Sequence, residues 1–206
     1  MQISPSPGGC LFPVDPDVPA WVIPALWAPE FDGTTAILSA VPADLKTRPL
    51  PPGLLLSAIV REVTPDGEHF ILPHPSGDIR VLVTTGDAYL RPQGEIPFDG
   101  DEERRATALL RLIRYVRGRP IRGMPRRFKL SVARIWRYAE ALVVHDGIEA
   151  GAPRQEIGSI LDPSVSTISS AEWDAHPLRQ RINRRLTLAR LMMSGRYLDL
   201  VRQRRR

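Results

Sequence analysis

The hydrophobic pattern of this chain changes period twice. Residues 1–33 have no period: Pro5, Pro7, Pro13, Pro16, Pro19, Pro24 and Pro29 remove backbone donors and hold the preceding residues out of helix, which predicts an extended arm. Its rings Phe12, Trp21, Trp27 and Phe31 either wrap the following domain or dock on another subunit. From Thr34 to Ile96 the period is that of strands. The runs Thr35 to Val41, Leu54 to Val63, His69 to Leu72 and Ile79 to Thr84 are separated by Pro51-Pro52-Gly53, Pro65-Asp66-Gly67 and Pro75-Ser76-Gly77-Asp78, and they predict a small antiparallel sheet.

At Asp101 the pattern turns helical. Asp99 or Asp101 can cap a helix with the apolar face Ala106, Leu109, Leu110, Ile113 and Val116, stopped by Gly118 and Pro120, while Arg104, Arg105, Arg111 and Arg114 fall on its other side. Arg117, Arg119, Arg122, Arg126 and Arg127 follow on a loop that either tracks a phosphate backbone or is simply solvated. A second helix spans about Ser131 to Glu149, with Val132, Ile135, Trp136, Ala139, Leu142 and Val143 at helical spacing. A short third helix begins after Pro153, with Ile157, Ile160 and Leu161 facing a core and Gly158 permitting a close crossing. A serine-rich linker, Ser164 to Ala175, holds Trp173 and leads into a long helix from His176 to Gly195.

On that last helix Leu178, Ile182, Leu186, Ala189 and Met193 stack on one face, and Gln180, Asn183, Arg184 and Thr187 point the opposite way. Three helices in succession, the middle one short and the last one basic, follow the helix-turn-helix layout, with a longer linker than usual. The expected fold is therefore α+β. A Pro-rich arm and a small acidic antiparallel sheet occupy residues 1–100, and a basic helical domain of about four helices with a variant helix-turn-helix occupies residues 101–206.

Charge reinforces that division. Residues 1–100 carry 5 Lys+Arg against 12 Asp+Glu, a net −7, whereas residues 101–206 carry 23 against 11, a net +12. A basic domain attracts nucleic acid and gains affinity by releasing its counterions; anionic membrane would attract it too. The single Cys10 forbids an internal disulfide, and the sequence lacks an apolar run of membrane-spanning length and a signal-peptide pattern, so the expected setting is cytoplasmic with no membrane partner.

The candidate chemistry is recognition rather than catalysis. Gln180, Asn183, Arg184 and Thr187 carry groups that pair with base edges, since Arg matches guanine O6/N7 and Asn or Gln matches adenine N6/N7. Arg154, Gln155, Arg179, Arg181 and Arg185 are the candidates for phosphates of double-stranded DNA. The alternative is a core helix with a solvated arginine face. Leu188 and Leu191 lie on the side meant for DNA, which opens a second reading as a self-associating or partner-binding module. A third reading is RNA binding through the arginine loop and the tail Arg202 to Arg206. No cofactor or metal is expected: His69 and His74 lack further ligands nearby, and no nucleophile stands beside a base in any motif, so an enzyme is not expected.

The run AGAPRQEIGSIL, then Trp173, then LRQRINRRLTLARLMMSGRYLDLV resembles the RovC-like family of bacterial transcription factors, found among activators of type VI secretion and among activators and antiactivators of integrative and conjugative element transfer. The resemblance rests on Arg154, Glu156 and Ile157, on Leu178 and Arg179, and on the terminal Gly195, Tyr197 and Leu200; it is good over roughly residues 127–201 and loose before them. It departs at Asp162-Pro163. The resemblance implies a DNA-binding variant helix-turn-helix and, in some members, an oligomer or a regulator as partner.

Overall fold

The computed structural model describes residue 22 and residues 24–202, and the chain falls into two compact units that divide between Phe128 and Lys129. The expected burial of Phe12 and Trp21 lies outside the described residues; Trp27 and Phe31 are half-buried beside the buried Leu26 and Ala28.

The first unit holds five strands, β1 (Thr35–Ala40), β2 (Val60–Thr64), β3 (Gly67–Leu72), β4 (Ile79–Val83) and β5 (Pro92–Glu95), in the order β2-β3-β4-β1-β5. The sheet is mixed, which corrects the antiparallel expectation: β1 runs parallel to β4, with Ala36 opposite Val81, while the other three pairings are antiparallel. The reason is written in those two strands. Ala36-Ile37-Leu38 and Val81-Leu82-Val83 are unbroken apolar runs buried on both faces, the pattern of parallel pairing rather than of alternation. β5 was not expected, since Pro92 and Gly94 are poor strand formers. Gly94 is needed for space, because a Cβ there would lie 2.2 Å from Leu109 Cδ2. Residues 54–59 do not extend β2; they contain a short 3-10 turn, Leu55–Ser57.

Helix α1 (Glu102–Val116) packs on this sheet and falls in the first compact unit, whereas the sequence reading places it with the helices after residue 100. Its buried face also corrects the expectation. Arg104, Arg105, Arg111, Ala108 and Leu112 are inside, while Leu110 and Ile113 are exposed. Burying guanidinium groups is tolerable only when their donors are met. Arg111 donates to the carbonyls of Gly77, Asp78 (3.0 Å) and Arg122 (3.1 Å), so that one side chain ties helix, hairpin and following loop together. Arg105 donates to Asp99 (Nε, 2.9 Å) and to the Pro29 carbonyl (2.8 Å), and Arg104 lies over the Phe128 ring at 5.5 Å.

The second unit is helical: α2 (Val132–Glu149), α3 (Arg154–Leu161), α4 (Ser170–Ala175), α5 (Pro177–Leu191) and α6 (Leu198–Arg202). Its core is Val144, Ile157, Val165, Trp173, Leu178, Ile182 and Leu186. The expected serine-rich linker is structured. A 3-10 turn, Pro163–Thr167, is opened by Asp162, which accepts from Ser164 N, and α4 starts with a full capping box between Ser169 and Glu172. Only the C-terminal half of α2 is buried, through Ala141 and Val144; Val132, Ile135, Trp136 and Leu142 are exposed.

Candidate nucleic-acid interface

The entry to α5 is fixed by three neighbours in sequence. His176 is extended and Pro177 takes the first helical position, where its missing N–H costs nothing. The His176 Nδ1 accepts from Leu178 N at 3.3 Å, and its ring stacks on Trp173 with centroids 6.1 Å apart. Trp173 in turn presses on Gly158 of α3: a Cβ on that glycine would meet Trp173 Cη2 at 2.8 Å. The close crossing expected at Gly158 is thus a crossing with an indole.

From this anchor Leu178, Ile182, Leu186 and Ala189 point into the core, as the spacing predicts. Met193 does not. It is 61% exposed, because α5 ends at Leu191 and widens into a π-helical turn, Met192–Arg196, closed by Gly195 at φ 108°. On the opposite side Gln180, Asn183, Arg184 and Thr187 are all exposed, and the Thr187 hydroxyl donates to the Asn183 carbonyl at 3.1 Å.

The candidate phosphate residues divide into three groups. Arg154, at the start of α3, shares a surface depression of about 470 Å³ with Arg179, Gln180 and Asn183 of α5, so the two helices present side chains to one place. Arg154 and Arg184 make no side-chain hydrogen bond or ion pair among the described residues. Arg179 is exposed and rests on Asp174 at 3.0 Å, a surface pair that a phosphate can exchange for. Gln155 is half-buried, with its amide donating to the Ile168 carbonyl at 3.0 Å.

Arg181 and Arg185 are held from behind. Both guanidinium groups converge on Glu140 of α2, Arg181 through Nε at 3.1 Å and Arg185 through Nε at 2.7 Å. Partial burial pushes the Glu140 carboxyl up, but the hydrogen bonds from Arg185 and Arg181 outweigh it and hold the group below the ordinary glutamate value. Sequence reasoning missed Glu140. The only available signal is an acid one turn before the buried Val144, and nothing in its spacing names partners on another helix. Arg190, which by sequence flanks the buried stripe with Arg179, Arg181 and Arg185, is exposed at the last turn of α5. Leu188 is half-buried and Leu191 is 39% exposed.

Elsewhere, His69 is buried against the Thr64 hydroxyl and His74 bonds to Ser76, so each ring has a structural partner. Among the described residues no helix is long and apolar enough to cross a membrane.

No curated protein and no solved structure matches the chain. A family model does match, over residues 95–202, which is more than half of the chain and reaches from the end of β5 through α6. That span takes in the whole α3–α5 arrangement with its outward polar row, and it also includes α1, which the resemblance over residues 127–201 left out. The family is one of transcription factors and not of enzymes, and with these residues matched the chain belongs to it: RovC DNA-binding, the DNA-binding domain of type VI secretion system transcription factors.

Proposed function

We propose that this chain is a sequence-specific regulator that reads double-stranded DNA through α5, in a variant helix-turn-helix where α3 supports the reading helix. The observation that carries this reading is the division of α5 into a buried apolar face and an exposed row, Gln180, Asn183, Arg184 and Thr187, beside an unpaired Arg154 from α3. Base edges are read by Arg184, Asn183, Gln180 and Thr187, and phosphates by Arg154 and Arg179. Arg181 and Arg185 meet phosphate only by leaving Glu140, and Gln155 serves the Ile168 loop, so these three contribute less to affinity.

Footprinting upstream of the protein's own and neighbouring genes supplies the operator. Fluorescence anisotropy on that duplex and on a scrambled one then tests the roles. Arg184→Ala should lose about 1–3 kcal/mol of discrimination between the two, while Arg154→Ala should weaken both alike and lower the salt slope by roughly one unit. Equal losses on both duplexes for Arg184→Ala would remove it from base reading.

The second reading, a self-associating or partner-binding module, draws on Val132, Ile135 and Trp136, exposed together along the first turns of α2, with Leu191 exposed on α5. Trp136→Asp and Leu191→Asp are its probes in light scattering after size exclusion. A monomer for the parent chain and both variants would remove self-association.

A further inference from the structure

A groove of about 1000 Å³ opens on the first unit between the segment Lys46–Pro51, β5 and α1. Its floor reaches the core at Leu38 and Leu112, and its walls are Leu50, Leu109, Ile113 and Val116. This lining accounts for the apolar residue Ile113, which α1 leaves exposed, and takes in Leu109 where it packs beside Gly94 of β5. The segment opposite is held in place: Pro49 and Pro51 fix its backbone, and Leu50 N donates to the Tyr89 carbonyl at 2.9 Å.

The charge around this groove has one sign. Lys46, Arg48, Arg117 and Arg119 line it, and among the described residues no carboxylate does. The first hundred residues hold five cations in all, and Arg61, Arg80 and Arg91 are each paired with a carboxylate, on Glu68, Asp32 and Asp87. The two left over, Lys46 and Arg48, are the two on the groove. None of the four rim cations has a side-chain partner among the described residues. Four unpaired cations gathered over an apolar trough are complementary to one chemical class.

We propose that this groove is a binding site for a small amphiphilic carboxylate, with an acyl or comparably slender apolar body lying along Leu109, Ile113 and Val116 and the carboxylate held at the cationic rim. The volume is that of small-molecule sites, and guanidinium groups pair with carboxylates in fork geometry. The site stands apart from the α5 face and does not depend on how DNA is read.

The test is titration of the full chain with dansylaminoundecanoic acid, followed by the probe's fluorescence, beside its methyl ester and beside phosphatidylglycerol vesicles. Saturable binding with one site per chain is expected, weakened at least about tenfold by esterification and by the double variant Lys46→Glu, Arg48→Glu. Ile113→Glu, at a partly exposed wall position, should weaken it as well, with unfolding curves reporting that each variant is folded. Absence of saturable binding, an ester that binds as well as the acid, binding indifferent to both sets of variants, or retention by vesicles without binding of the monomeric probe would each overturn the proposal.

Discussion

Glu140 illustrates what a single carboxylate does in the second unit. It takes hydrogen bonds from two guanidinium groups one turn apart on α5, and thereby joins α2 to α5 on the flank of the exposed polar row. Because its folded pKa is depressed, the stabilisation is complete above the ordinary value of 4.5 and is lost as pH falls from there through the lower folded value. Glu140→Ala should cost on the order of 1–2 kcal/mol at neutral pH, between the values of exposed and buried pairs, and the difference from the parent should shrink below that pH in urea unfolding. His69 has a window of its own. Burial lowers its pKa, so the neutral ring is favoured in the fold; stability is full above 6.5 and declines as pH falls from there, when the unfolded chain protonates first. His69→Gln should flatten the stability profile in that upper window while leaving the lower one. Both residues are placed by long-range packing, which no local pattern reports.

At the scale of elements, the crossing of α3 with α4 depends on Gly158. Adding a methyl there drives it into the Trp173 ring, so Gly158→Ala should destabilise the chain by about 1–3 kcal/mol and lower its melting temperature by several degrees. The glycine was legible from sequence as a close crossing, and so were the buried stripe Leu178, Ile182, Leu186, Ala189 and the exposed row beside it, because both follow from 3.6-residue periodicity. α1 was legible as a helix but not as to its face. Its spacing pointed Ala106, Leu110 and Ile113 inward, yet the sheet selected Arg104, Arg105 and Arg111, the last two of which donate to carbonyls far along the chain. Periodicity finds a stripe; it does not say which stripe the tertiary partners can satisfy. The hairpin-forming runs β2, β3 and β4 were found from their turns, whereas β5 was hidden by Pro92 and Gly94 and α4 by its serines. Two contacts altered the candidate site for the same reason: Glu140 takes up Arg181 and Arg185, and Ile168 takes up Gln155.

At the scale of the whole molecule, moving the boundary from residue 100 to residue 128 changes the electrostatic picture. The first unit then carries 14 basic against 15 acidic residues, net −1, and the second 14 against 8, net +6. The steep contrast between acidic and basic halves came from cutting ahead of α1 and the arginine loop, several of whose charges are spent internally. Limited trypsin digestion should cut first between Arg117 and Lys129, where exposed arginines alternate with Gly118, Pro120, Gly123 and Pro125, and yield two fragments that divide at the unit boundary. A first cut inside α2 or β4 would argue against that division. The Trp173–His176 stack carries a final implication for how such a molecule could change its target. It sets the rotational phase of α5, since the helix starts at a fixed azimuth from a side chain wedged against α3. One residue added between Trp173 and Pro177 would turn everything downstream by about 100°, carrying Asn183 and Arg184 off the surface and unburying Ile182. On the proposed reading of DNA by α5, new sequence preferences must therefore arise by exchanging side chains along the row, one base edge at a time, and not by sliding the helix.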